Sequence, residues 1–432
     1  MPAFARGPFP RQGERCQPNW RHGAQGAFLV AGSVHLRLIA LALSAVLLTT
    51  TASASEHWWL DDRGFNEIAL DGSGVRVAVI DTGIDDDHPD LAGMVIAGAD
   101  FSGIGTPDGT QPVGPGGFHG TMVSSLIAGQ GRATGGVIGI APGVELLAIS
   151  VGLGVGGADT DAQVAQAIIW AVDNGASVIN LSLSRNSERW PESWDEAFLY
   201  AFENDVVIVA ASGNRESQTG ATAPATIPGV LSVTAVDRGG NVNSTAGASG
   251  IGVAVAAPGV EMLGSYPGGE IKMWEGSSAA APIVTGMVAL MRQADPVASA
   301  NDIIQRVIST AIDLGEPGFD ATYGFGLIDP VAAVDSSEVA SSNPLGSLAR
   351  WIELYRGSEV QEDSAELIIP TLPGVEGERE ESEVTTEIPQ ADPPVNPLTY
   401  LLLPIALLLV VLIINSLRRG NKAKARTIKE GS

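Results

Sequence analysis

One cysteine, Cys16, stands among 432 residues, so the chain can build neither an internal disulfide framework nor a cysteine metal cluster. Basic residues are scarce as well: 24 Lys and Arg face 49 Asp and Glu, and the net charge is -25. A chain so acidic repels phosphate backbones, which argues against nucleic acid as a partner. Histidine is rarer still, five in all, and His22 and His35 precede Ala54. Beyond that point an imidazole base could come only from His57, His88 or His119. What the chain has in plenty is apolar side chains, 45% of the total, ample for a core.

Charge is missing altogether from two apolar runs, 38–48 and 398–417. The first follows Arg37 and leads into Ala52-Ser53-Ala54, the layout of a cleaved signal peptide with an unusually long N-region over residues 1–54. It is too short to span a bilayer, whereas 398–417 supplies the roughly 20 residues that one transmembrane helix requires. Pro404 is tolerated in the first turns of such a helix. Arg418, Arg419, Lys422, Lys424, Arg426 and Lys429 follow, while no Lys or Arg lies between Glu380 and Leu417. The positive-inside rule then predicts a basic cytoplasmic tail over 418–432 and an extracytoplasmic body. Between body and membrane, residues 336–397 are acidic and carry Pro370, Pro373, Pro389, Pro393, Pro394 and Pro397, which favours an extended stalk. Residues 345–355 are the exception, with apolar spacing for a short helix that docks on the body or the membrane surface.

The body itself, 74–335, alternates strands and helices. Strands are expected at 75–80, 145–151, 176–183 and 206–211, and helices at 161–174, 192–204 and 279–293. Strands apolar on both faces indicate an α/β, doubly wound, mostly parallel sheet with helices on both sides, whose active site lies at the carboxyl ends of the strands.

Four stretches carry candidate chemistry there. Asp81 closes the first strand in Val79-Ile80-Asp81-Thr82-Gly83-Ile84; a buried carboxylate there can orient a histidine that becomes charged, and a turn-forming Asp is the plain alternative. An aspartic-protease reading of Asp-Thr-Gly requires a second such motif, which the chain lacks. His119 follows a loop rich in Gly and Pro and opens a helical run, so its ring projects from a helix start rather than from a core face. Asn214, in Ala210-Ala211-Ser212-Gly213-Asn214, offers a carboxamide to an oxyanion or simply makes a Gly-Asn turn. Ser278, in Trp274-Glu275-Gly276-Ser277-Ser278, begins a buried helix, where free N–H groups and the dipole stabilise an oxyanion; an ordinary N-cap is the alternative.

Taken together these stretches resemble the subtilisin-like serine proteases, the subtilases. Ile80-Asp81-Thr82-Gly83-Ile84 with His88-Pro89-Asp90-Leu91, then His119-Gly120-Thr121, then Gly276-Ser277-Ser278-x-Ala280-x-Pro282 match three signatures in family order. Shorter matches fill the gaps: Gly139-Ile140-Ala141-Pro142, Asn180-Leu181-Ser182-Leu183, Ala256-Ala257-Pro258-Gly259 and Tyr323-Gly324-Phe325-Gly326. The resemblance implies Ser278 as nucleophile, His119 as general base and acid, Asp81 as its orienting partner, and Asn214 with the Ser278 N–H as oxyanion hole. It also implies substrate-binding strands at Leu153-Gly154 and Ser182-Leu183-Ser184. Gly152-Leu153-Gly154-Val155-Gly156-Gly157 doubles as a dinucleotide fingerprint, but the triad already accounts for that region, and an exported enzyme rarely uses NAD.

Departures fall around the triad, not in it. Met122 replaces a common His, Ser184 a frequent Gly beside the S1 pocket, Ala279 a larger residue, and Ser277 the usual Thr. The resemblance brings in no cofactor; structural Ca²⁺ alone is left open, because Asp90 matches a frequent ligand while 130–136 lacks the usual Asn. Only residues 55–73 stand where digestive subtilisins have a large pro-domain. Leader, immediate catalytic domain, stalk and single anchor are similar to the mycosins, membrane-anchored subtilases of type VII secretion, although mycosins carry cysteine pairs. The expectation is an anchored endopeptidase acting on exported proteins, with a mainly structural subunit of a secretion complex as the alternative.

Overall fold

The computed structural model describes residues 56–214, 220–242 and 246–356. The described residues open with a short helix, α1 (Trp58–Asp62), and a 3-10 turn (Phe65–Glu67). Then follow β1 (Arg76–Asp81), β2 (Val95–Asp100), α2 (His119–Ala128), β3 (Glu145–Ser150), α3 (Thr160–Asp173), β4 (Val178–Leu181), α4 (Ser193–Glu203), β5 (Val207–Ala211), β6 (Leu231–Val236) and β7 (Val255–Pro258). The hairpin β8 (Met262–Tyr266) and β9 (Glu270–Trp274) leads into α5 (Ser277–Ala294), α6 (Ala300–Thr310), α7 (Pro330–Asp335) and α8 (Leu348–Tyr355).

Seven strands form one sheet in the order β2-β3-β1-β4-β5-β6-β7, every neighbouring pair parallel. The reason is visible in β1 and β5. Val77 and Val79 of β1 and Val207, Val209 and Ala211 of β5 point into one core with α2, α5 and α6. The residues between them, Ala78, Ile80, Ile208 and Ala210, point into a second core with α3 and α4. A strand apolar at both parities must be covered on both faces. Each fully buried Val or Ile contributes about 1.5–3 kcal/mol, so this two-faced burial dominates the fold's stability.

Strand order departs from chain order at β3-β1-β4, the switch point where such sheets open a crevice beyond their carboxyl ends. The segments leaving β3, β1, β4 and β5 all emerge there.

Two elements differ from the sequence reading. Residues 182 and 183 leave the sheet instead of extending β4. The N-terminal segment, read as an extension outside the catalytic domain, is built into it: Trp58, Trp59, Leu60 and Phe65 lie in the same core as α5. The short helix expected at 345–355 forms as α8 and docks on α4, with Leu348 buried and the Trp351 ring tilted against Trp190 at 4.4 Å between centroids. Arg356 then pairs with Asp195 at 2.7 Å and lies over both indoles. The leader, the stalk beyond residue 356, the run 398–417 and the basic tail lie outside the described residues. Among the described residues no helix is long and apolar enough to cross a membrane.

Candidate active site

β1 delivers Asp81 to the carboxyl edge with its side chain buried. One carboxylate oxygen accepts from Thr82 N–H at 2.7 Å, and both oxygens face His119 Nδ1 at 2.9 Å. Nδ1 therefore carries the proton, and Nε2 is left as a base. Thr82 locks the approach, its hydroxyl donating to Gly117 C=O (3.1 Å) and accepting from Gly120 N–H (3.0 Å). Gly120 is a packing requirement, because a Cβ there would collide with the Gly83 carbonyl and push α2 off β1. Burial of the His119 ring opposes its charging, but the charge and hydrogen bond of Asp81 outweigh it, so its pKa stands above the ordinary 6.5. Trp274 meets the ring edge-on at 5.6 Å between centroids.

Ser278 is the second residue of α5, whose N-cap, Gly276, has no side chain to cap the first turn. Asn214, beyond β5, takes that place: its Oδ1 accepts from Ser277 N–H and from Ser277 Oγ, each at 3.1 Å. Ser277 is almost fully buried, and its Oγ also accepts from Gly213 N–H at 3.1 Å and lies 3.0 Å from Gly213 C=O. Of the two adjacent serines, only Ser278 keeps an accessible hydroxyl. That hydroxyl donates to Ser182 C=O at 3.1 Å, not to His119. Asp81 and His119 thus form one bonded group, and Ser182 with Ser278 forms another, which Asn214 joins through the adjoining Ser277. Direct packing of α2 on α5 brings the two to the same edge.

Ser184, Gly213, Asn214 and Thr222 help to line a cavity of about 300 Å³ beside this second group. Thr222 is buried, and its hydroxyl finds no partner among the described residues. Leu183 is buried, while Leu153 and Gly154, beyond β3, are half-buried and exposed respectively. A larger apolar cavity of about 420 Å³, lined by Trp190, Ile227, Val253 and Trp351, contains none of the triad residues.

Asp90 is saturated by donors. Ala133 N–H, Val137 N–H and the Ser265 hydroxyl each reach its carboxylate at 2.8 Å. Burial disfavours its charge, yet these donors outweigh burial and hold the carboxyl below its usual range. A hard cation needs oxygens turned toward it, and here N–H groups occupy that role, so the loop does not fit the Ca²⁺ left open by the sequence. A thermal melt of the metal-free protein should therefore be unchanged by excess EDTA and by millimolar CaCl₂. A rise of several degrees with CaCl₂ would contradict this.

Sequence reasoning quoted Thr82, Asn180 and Trp274 only as members of motifs and passed over Thr285; none takes part in the proposed chemistry, but each contacts residues of the site or their supports. Thr285, seven positions after Ser278 and so on the same face of α5, was the one with a usable signal.

An Asp-held histidine and a helix-start serine brought to the same carboxyl edge of a parallel sheet are the elements of Ser-His-Asp hydrolases built on α/β scaffolds, and the chain order Asp, His, Ser narrows it further. The Subtilase family profile matches residues 72–326, more than half of the chain. The chain belongs to the subtilase family of serine endopeptidases. Fervidolysin of Fervidobacterium pennivorans is 36% identical over 312 residues, 65% of this chain and 44% of fervidolysin, so the chain spans less than half of that relative's length. Among solved structures, MycP1 with its N-terminal propeptide removed is 28% identical with a TM-score of 0.57, covering 67% of this chain and 99% of MycP1. MycP3 protease from the type VII (ESX-3) secretion system is 30% identical with a TM-score of 0.54, covering 66% of this chain and 88% of MycP3.

Proposed function

We propose that this chain is a membrane-anchored, extracytoplasmic serine endopeptidase that cleaves exported proteins through an acyl-enzyme. The doubly held His119 carries the reading, because the Asp81 carboxylate leaves Nε2 as the base. A substrate strand lies between Leu153-Gly154 and Ser182-Leu183-Ser184, and its P1 side chain enters the cavity between Ser184 and Thr222. The Ser278 hydroxyl turns from Ser182 toward His119, gives its proton to Nε2 and adds to the scissile carbonyl. The resulting oxyanion is met by the Ser278 N–H and the Asn214 carboxamide. His119 then protonates the leaving amine, the C–N bond breaks, and water repeats the sequence to release the acid.

Asn214→Ala is expected to lower kcat by about 10²- to 10³-fold, a loss measured for the equivalent contact in subtilisin, with little change in KM. Steady-state hydrolysis of a peptide amide checks it, and an unchanged kcat would remove Asn214 from the oxyanion hole.

The anchored, secretion-associated part of the proposal is supported by the uncharged run 398–417 with its basic flank, and by the likeness to MycP1 and MycP3. Two measurements test the whole. The full-length protein should be labelled by a fluorophosphonate, and the labelling should vanish in Ser278→Ala. An epitope placed after Ser432 should resist protease added outside intact cells while the catalytic domain is digested. A folded but unlabelled protein would leave only a scaffolding role.

A further inference from the structure

Pro282 lies inside α5 and has no N–H, so the helical hydrogen bond that would close on the carbonyl four residues earlier is missing. That carbonyl belongs to Ser278. Its replacement donor is the Ser182 hydroxyl, at 3.0 Å. Because that proton is committed to Ser278, the Ser182 oxygen must accept from elsewhere, and Asn180 Nδ2 donates to it at 3.0 Å. This orientation puts Asn180 Oδ1 on the far side, where the Thr285 hydroxyl donates to it at 2.9 Å. Every donor in the series points the same way, from Thr285 through Asn180 and Ser182 to the Ser278 carbonyl. Asn180, Ser182 and Thr285 are all buried, so a broken link leaves a polar atom unpaired away from water. Thr285 and Ser278 share one face of α5, about two turns apart, while Asn180 lies in β4 and Ser182 just beyond its end. The series ties helix to strand at both levels.

We propose that Thr285, Asn180 and Ser182 are positioning residues for the nucleophile, a buried strut that holds the Ser278 main chain still while its hydroxyl swings from the Ser182 carbonyl to His119. This role rests on the endopeptidase reading given above. It assigns the hydroxyl of Thr285, remote from substrate, an effect on the chemical step and not on binding. A misplaced nucleophile slows acylation without weakening the initial encounter.

The test uses the full-length protein and the inactivation kinetics of a fluorophosphonate, resolved into the limiting rate and the half-saturating concentration. Thr285→Val keeps the shape and removes the hydroxyl. The limiting rate is expected to fall about tenfold, with half-saturation within about twofold of wild type. Thr285→Ser, which restores the hydroxyl but not the methyl, is expected to recover most of that rate, as a packing role would not allow. Ser182→Ala should lose rate in the same way, and the double variant Ser182→Ala/Thr285→Val should lose little more than Ser182→Ala alone, because both cut one series. Should Thr285→Val fail to fold by circular dichroism, Ser182→Ala against wild type decides the matter. A reactive wild type with an unchanged limiting rate in folded Thr285→Val or Ser182→Ala, or equal losses in Thr285→Val and Thr285→Ser, would overturn the strut alone. A wild type inert to the reagent would overturn the endopeptidase reading together with it.

Discussion

Ser278→Ala is expected to lower kcat by about 10⁶-fold, the loss measured for the nucleophile of subtilisin itself, while leaving the protein folded and able to bind peptide. His119→Ala should cost about as much, and the double variant hardly more, because the two act as one unit. The structure also separates Ser278 from its neighbour. The Ser277 hydroxyl is engaged with Gly213 and Asn214, so Ser277→Ala should disturb the Asn214 carboxamide without removing the nucleophile. Active-site titration with a fluorophosphonate checks both. Label retained on Ser278→Ala would mean that another residue attacks.

Asp81→Asn is expected to lower kcat by about 10⁴-fold, a magnitude known from the equivalent carboxylates of serine proteases. An Asn that donates to Nδ1 favours the wrong tautomer and leaves the proton on Nε2. The pH profile should move as well. In the wild type the His119 pKa lies above 6.5, so the acid limb of kcat/KM should fall above that value, with activity gained as the ring deprotonates. Without the Asp81 charge, burial alone acts on the ring, and the limb of Asp81→Asn should shift to lower pH. Stability runs the other way. A raised folded-state pKa stabilises the fold below the ordinary imidazole value, and this contribution disappears as pH rises through the raised one. The wild type should therefore surrender some stability across the interval in which it becomes active. An acid limb in Asp81→Asn identical to that of wild type would refute the assigned pairing.

The parts of this protein that could be read in advance share a physical trait. Asp81, His119, Asn214 and Ser278 each sit where an apolar strand ends or a helix begins, and such junctions show in the local pattern of residues. Strands buried on both faces, such as β1 and β5, read as unbroken apolar runs for the same reason. β2 did not, because it is the edge of the sheet, with Ile96 about half exposed and Gly98 pressed against backbone where no side chain fits. β6 was obscured by its hydroxyls, which look like loop chemistry until Thr234 is seen donating to Ala248 C=O at 2.8 Å. The Thr285–Asn180 contact joins residues 105 positions apart, and no local pattern announces such a pair. The tryptophans of α1 fell outside the expected domain because a five-residue helix is too short to show a period.

Those tryptophans have a bearing on how the molecule matures. Trp59 is wholly enclosed, and Trp58 nearly so. Excising a buried aromatic of that size costs about 3–5 kcal/mol, a large part of the 5–15 kcal/mol that holds an average domain together. The stretch 56–67 is therefore masonry rather than a cork. A cut just downstream of it should unseat these side chains and loosen the catalytic domain, so removing this stretch is expected to cost stability instead of switching activity on.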